Sequence, residues 1–344
     1  MNASRLDQIT TRYGGLRVAV LGDFCLDRYL EIDPARQETS IETGLPVHNV
    51  VNVRAQAGGA GTIVNNLAAL GVGTILPLGF AGLDGEGYEL LHALEKLDGV
   101  RLTHFIRTDQ RRTFTYCKPL IVVPNSSPAE LNRLDSKNWT TTPFPLQDLL
   151  VERLETVARE VDALIVLDQV DVPETGVVTD RVRDALHVLL KRWPKLLILA
   201  DSRRGLCGFP PVGFKMNAAE LARLSGGTSH GVQAVMETAA TVARRNQNLV
   251  FVTLAERGMV GAVASGQTEH VPALPVRGEI DIVGAGDAVT ANLVAALAAG
   301  ADLRESLEIA AAAASIVIHQ LGTTGTASVR HIRELLKPVA TESE

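Results

Sequence analysis

Short apolar runs alternate with amphipathic helical patterns along this chain, and that alternation leaves few folds open to it. Residues 18–21, 75–78, 163–167, 196–200 and 249–254 are each short and apolar and give way to polar residues or glycine. That is the pattern of buried strands. Between them, residues 62–70 put Ile63, Leu67 and Leu70 on one helical face and stop at Gly71. Residues 86–97 do the same with Leu90, Leu91, Leu94 and Leu97, and 149–160 and 179–192 are similar. Strand–helix alternation of this kind implies an α/β fold with a mostly parallel sheet. Ligands of such sheets sit beyond the carboxyl ends of the strands. Two segments break the rhythm. Residues 29–54 and 101–135 mix β-branched and aromatic residues with polar ones, as exposed strands do. We expect them to form one small β-sheet, a lid, inserted in a single domain over 1–344. Residues 125–128 and 140–145 read as turn-rich loops, and 341–344 as a frayed end.

Bulk properties narrow the function. The chain is 46% hydrophobic and 21% charged, a globular composition. A formal charge of −6 gives no electrostatic basis for binding nucleic acid. Cys25, Cys117 and Cys207 are scattered and odd in number, which excludes a disulfide framework or a zinc motif and fits a reducing cytoplasm. Residues 1–16 lack an apolar signal core. The apolar runs 288–299 and 307–318 are too short to span a bilayer and read as buried helices.

The clearest chemistry lies in Asp281-Ile282-Val283-Gly284-Ala285-Gly286-Asp287. Small residues turn the backbone tightly, and the apolar run behind them forms a helix. A helix start aims free N–H groups and the positive end of its dipole at one point, which suits a phosphate. Asp287 beside an anion reads as a base that takes a proton from an attacking hydroxyl. Together these parts point to phosphoryl transfer to an alcohol. A plain helix start with an acidic first turn fits the same residues, so the flanking motifs matter. Neither a P-loop nor a Gly-x-Gly-x-x-Gly after the first strand is present, so a nucleotide site is built another way.

Further pieces stand in order along the chain. They are Gly58-Gly59-Ala60-Gly61, Gly79-Phe80-Ala81-Gly82-Leu83-Asp84-Gly85, Asn217 to Glu220, and Thr253 to Gly258. With the 281–287 turn they resemble the PfkB/ribokinase family of carbohydrate kinases over nearly the whole length. The resemblance implies a ribokinase-like three-layer α/β/α core with a β-lid, ATP and Mg²⁺ as cofactors, K⁺ as a candidate third, and a sugar or sugar phosphate as acceptor. By position, Asp287 resembles the family's catalytic base and Gly284, Ala285 and Gly286 its anion hole. Asp27 resembles its sugar-binding acid, with Asp23 beside it; Gly58 and Gly59 resemble glycines that admit the sugar. Thr253, Gly258 and Asn217 fall on the nucleotide side. Glu220 is associated with magnesium, although Asn217 and Glu220 also read as a capping box. Asp281, with Val283 and the 322–325 loop, falls where relatives hold a monovalent cation.

Within the family, Leu26-Asp27-Arg28-Tyr29, Thr113-Phe114-Thr115-Tyr116-Cys117-Lys118 and Asn132-Arg133-Leu134-Asp135 resemble D-glycero-β-D-manno-heptose 7-phosphate kinases. The chain is too short to carry in addition the nucleotidyltransferase domain of some of these. It also departs from the pattern. Ala255 replaces a frequent glycine, Ile282 a threonine, and Thr62 and Ala311 asparagines. Asp168-Gln169-Val170-Asp171 replaces a stretch with a lysine that could meet a substrate phosphate; Arg111, Arg112, Lys118, Arg133 and Arg203 are candidate substitutes. An exposed lid sheet invites pairing with a second lid, so we expect a homodimer. A nucleoside kinase and a non-catalytic sugar- or nucleotide-binding regulator on the same scaffold are the competing readings.

Overall fold

The computed structural model describes residues 1–124, 126–227 and 231–336. The expected turn at Asn125 and the end at 341–344 lie outside these residues. An eight-stranded sheet runs in the order Thr268–Val271, Met259–Ala262, Val250–Thr253, Gly213–Asn217, Leu197–Ser202, Ala163–Asp168, Arg17–Gly22, Thr74–Leu78. Its pairings are parallel from Val250–Thr253 to Thr74–Leu78, and the two strands at the other edge are antiparallel.

Period-2 alternation sends neighbouring side chains to opposite faces. Val18, Val20 and Ile165 enter one core with helices Ala3–Thr10, Ala60–Ala69, Ala285–Ala298 and Leu303–Val317. Ala19, Leu21, Leu164 and Val166 enter a second core with helices Phe144–Val157, Asp180–Arg192 and Gly231–Asn246. Burial on both faces is why these strands are continuously apolar. The three-layer α/β core is as expected. Ala285–Ala298 and Leu303–Val317 are buried helices, and among the described residues no helix is long and apolar enough to cross a membrane.

A second sheet orders Ala129–Glu130, Phe114–Ile121, Phe24–Ile32 and Val50–Gly59, with Leu134–Ser136 also on Phe114–Ile121. Its strands reach deeper than the expected 29–54 segment, because Phe24, Cys25, Leu26 and Ala57 are buried in the cores while Val50, Val51 and Val53 are exposed. One continuous strand is core at one end and lid at the other. The 101–113 part of the second segment is not lid. Ile106–Thr108 pairs in parallel with Phe80–Gly82, and Phe105 packs edge-on against Phe24 at 5.1 Å. Its apolar residues pack against the core. Gly213–Asn217 was hidden from periodicity by a lysine at its centre, Lys215, which is nonetheless buried.

Candidate active site

Helix Ala285–Ala298 starts at Gly284, whose φ is +81°. A Cβ there would lie 2.6 Å from the carbonyl oxygen of Thr324, so glycine is required twice over. Ala285 N–H donates to the Ile282 carbonyl, closing the turn. The N–H groups of Gly286 and Asp287 have no partner among the described residues. Of the three expected donors, Ala285 N–H is spent on the turn, and the Gly284 N–H has no partner among the described residues, like those of Gly286 and Asp287.

Lys215 was not foreseen. Its Nζ lies 3.1 Å from where a Gly286 Cβ would stand and donates to Asp201 Oδ2 at 2.7 Å. Burial opposes its charge, but Asp201, Asp287 and Glu220 together hold its pKa above the ordinary value. The ammonium is thus locked on beside the anion turn. A cation between Phe214 and Met216 in an otherwise apolar strand was the only available signal. Asp287 is half-buried, one residue beyond Gly286. Burial pushes its carboxyl up to about 7; Lys215 pulls against this, while Asp201 and Asp27 add to it. A carboxylate near 7 is suited to accept a proton.

Asp27 is buried on the lid strand Phe24–Ile32. Strand register puts Gln56 opposite it on one neighbour and Tyr116 on the other. Burial raises its pKa, opposed by Lys118, whose Nζ is 3.9 Å away, and by Arg133. The double glycine has a different role from the one expected. A Cβ at Gly58 would fall 2.4 Å from Asp27 Oδ2, and one at Gly59 2.4 Å from the Asp23 carbonyl. These glycines make room for the protein's own acid and backbone. Asp23 is likewise reassigned. Its buried carboxylate accepts from the N–H groups of Gln169, Val170 and Val177, so it holds that loop.

On the other side of the anion turn lies a cleft of about 840 Å³, lined by Asn217, Thr253, Gly258 and Gly286 at one end. Leu274, Val276, Ile280, Ala311, Ala314 and Ile318 make its apolar walls. Gly258 has φ +88°, and a Cβ there would meet the Val271 carbonyl at 2.0 Å. Ala255 has φ +52°, the left-handed region that disfavours a side chain. That is a physical reason for the glycine expected at this position. Asn217 and Glu220 form the full capping box: Glu220 N–H donates to Asn217 Oδ1 at 2.9 Å and Asn217 N–H to Glu220 Oε2 at 2.7 Å. Asp281 accepts from Val283 N–H at 3.0 Å and Gly322 N–H at 3.3 Å, tying the anion turn to the 322–325 loop.

Thr62 is buried, and Ala311 lies in the cleft wall. Of the candidate cations, Arg111 is buried and spends its guanidinium on the backbone of Thr140 and Thr141. Arg112 is exposed. Arg133 pairs with Asp135 and stacks over Tyr116 at 5.0 Å; Arg203 pairs with Asp171 at 3.1 Å.

A family profile described as pfkB family carbohydrate kinase matches residues 17–330. The chain belongs to the pfkB family of carbohydrate kinases. It is 29% identical over 334 residues to a bifunctional protein HldE of Bradyrhizobium sp. (strain ORS 278), covering 96% of this chain and 65% of that one. With the bifunctional protein HldE of Geotalea uraniireducens it shares 28% over 342 residues, covering 97% and 66%. The chain thus spans less than two thirds of these relatives. Two solved structures share the fold. Phosphofructokinase-2 from Escherichia coli, in complex with substrates and products, gives a TM-score of 0.70 at 18% identity over 93% of this chain and 98% of that one. Arabidopsis thaliana ribokinase, complexed with ribose and ATP, gives 0.66 at 18% over 94% and 99%. This member of the carbohydrate kinase family has a ribokinase-like fold.

Proposed function

We propose that the protein transfers the γ-phosphoryl group of ATP to a hydroxyl of a sugar phosphate, with heptose 7-phosphate the first acceptor to test. The observation that carries this is Asp287 beside two unpaired N–H groups and the buried Lys215. The acceptor oxygen attacks phosphorus, the bond from phosphorus to the ADP oxygen breaks, and the proton passes to Asp287. Charge spread over the transferring oxygens is met by the turn's N–H groups and Lys215. ATP enters the 840 Å³ cleft with its base against the apolar walls.

Among the described residues no group of three or more His, Cys, Asp or Glu could hold a metal ion. Magnesium is bound mainly by substrate phosphates with one or two carboxylates, and Glu220 keeps one oxygen outside its cap bond. That donor set fits Mg²⁺ arriving with the nucleotide, where it supplies charge neutralisation. Both oxygens of Asp281 accept backbone bonds, which leaves K⁺ dependent on further lone pairs and loop carbonyls.

For the acceptor's phosphate, cations gather around Tyr116. Arg133 and Lys137 lie over its ring at 5.0 and 5.6 Å, and Lys118 reaches Asp27. The resemblance to heptose 7-phosphate kinases and the similarity to the HldE proteins support the same acceptor. The lid's outer face carries an apolar groove of about 660 Å³ lined by Leu30, Val50, Pro119, Leu131 and Leu134. We place a second copy's lid there and the enzyme in the cytoplasm. A monomer in light scattering at working concentration would remove the dimer.

The test of function is ADP release with Mg²⁺-ATP over a panel of sugars, sugar phosphates and nucleosides. Heptose 7-phosphate is expected to give the highest kcat/KM. Preference for a nucleoside, or tight sugar binding with no ADP formed, would replace this reading by one of its competitors.

A further inference from the structure

Gln56 joins the lid to the anion turn. It lies on Val50–Gly59 directly across from Asp27 and is half-buried. Its Nε2 donates to Thr324 Oγ1 at 3.0 Å, and its Oε1 accepts from Thr323 Oγ1 at 3.2 Å. The same Nε2 lies 3.4 Å from the Tyr29 hydroxyl, which Lys118 Nζ reaches at 3.5 Å. Thr324 in turn is pressed against the turn, its carbonyl oxygen 2.6 Å from the Cβ position of Gly284. Gly322 of the same loop donates to Asp281. A continuous set of contacts therefore runs from the acid on the lid to the helix start that carries Asp287.

We propose that Gln56 is a positioning residue: a latch that sets the lid strand against Thr323 and Thr324, so that an acceptor held at Asp27 meets the anion turn in register. The inference rests on the reading of Asp27 as the acceptor's ligand. A primary amide suits the task because it gives and accepts at once, matching one hydroxyl that donates and one that accepts. A carboxylate at this position cannot donate, and Asn is one methylene short. The lid's position matters because transfer requires acceptor and phosphorus at near-contact distance, and a displaced lid also admits water as a competing acceptor.

The experiment uses the full chain with Gln56→Ala, Gln56→Glu, Thr324→Val and the Gln56→Ala/Thr324→Val double variant. Steady-state assays vary acceptor and ATP separately, and ADP release is also measured without acceptor. Gln56→Ala is expected to raise the acceptor KM about tenfold, the scale of two lost side-chain bonds, with the ATP KM unchanged. Acceptor-free ADP release should rise as a fraction of turnover. Thr324→Val should act similarly, and the double variant should be little worse than either single one. Hydrogen exchange on the protein alone gives a readout independent of catalysis: residues 320–326 should exchange faster in Gln56→Ala while Gly213–Asn217 stays as in the parent. Additive effects of the two substitutions, an acceptor KM within twofold of the parent, or unchanged exchange at 320–326 would each overturn the latch. If the parent turns over no acceptor, the kinase reading fails, and the exchange experiment still decides the latch.

Discussion

The two sides of the site are built from different materials. The nucleotide side is mostly backbone and small residues: a glycine turn, a helix start and apolar walls. The acceptor side is mostly side chains on three paired strands, with Asp27 between Gln56 and Tyr116. On the proposed function, the first would recognise features common to any nucleoside triphosphate and the second would carry the specificity; the second depends on strand register, where a shift of one residue turns every side chain away.

The sharpest way to break this contrast is Lys215→Met. Among the described residues Lys215 is the one buried side-chain cation placed at the turn, so its loss should lower kcat by ~10²–10³ with the acceptor KM little changed. A loss confined to KM would make it a binding group only. Asp27→Asn should do the reverse, raising the acceptor KM about 10–100-fold while the ATP KM holds, as expected for losing a charged hydrogen bond. If ATP affinity falls equally, the two sides are not separable.

Titration gives a third handle. Transfer needs Asp287 ionised, so kcat/KM should fall as pH drops below about 7. Stability runs the opposite way. The folded carboxyl holds its proton up to about 7 and the unfolded one only to 3.8, so ionising Asp287 costs stability as pH rises through that window, and the cost persists above it. Asp287→Asn should therefore melt higher than the parent at pH 8, and the gap should close toward pH 4. A gap of constant size across that range would point to packing instead. The smallest effect belongs to Ala255→Gly. Relieving a left-handed alanine should stabilise the protein by about 0.5–1 kcal/mol without altering turnover. A lower denaturation midpoint would show that the turn is not strained.

The same contrast explains what could be read in advance. Apolar runs and the 281–287 turn are local patterns, so the layered core and the place of Asp287 were legible. Lys215 was not, because its one sequence signal, a cation between Phe214 and Met216, does not show its pairing with Asp201. The sequence shows that Gly58 and Gly59 lack side chains but not which atoms need the room; in the structure those atoms belong to Asp27 and Asp23. Asp23 and Asp27 look alike in sequence. Three backbone donors arriving from residues 169–177 mark Asp23 as a loop anchor, and Asp27 has no such donors among the described residues. Gln56 acquires its role only from Thr323 and Thr324, far along the chain.

Asp287→Asn offers the most direct trial of the chemistry. Sugar phosphate and ATP binding are followed by calorimetry and turnover by ADP release. Both ligands should still bind near parental affinity while kcat falls by ~10²–10⁴, the scale of a lost general base. Turnover within a few-fold of the parent, with binding intact, would contradict Asp287 as the group that takes the acceptor's proton.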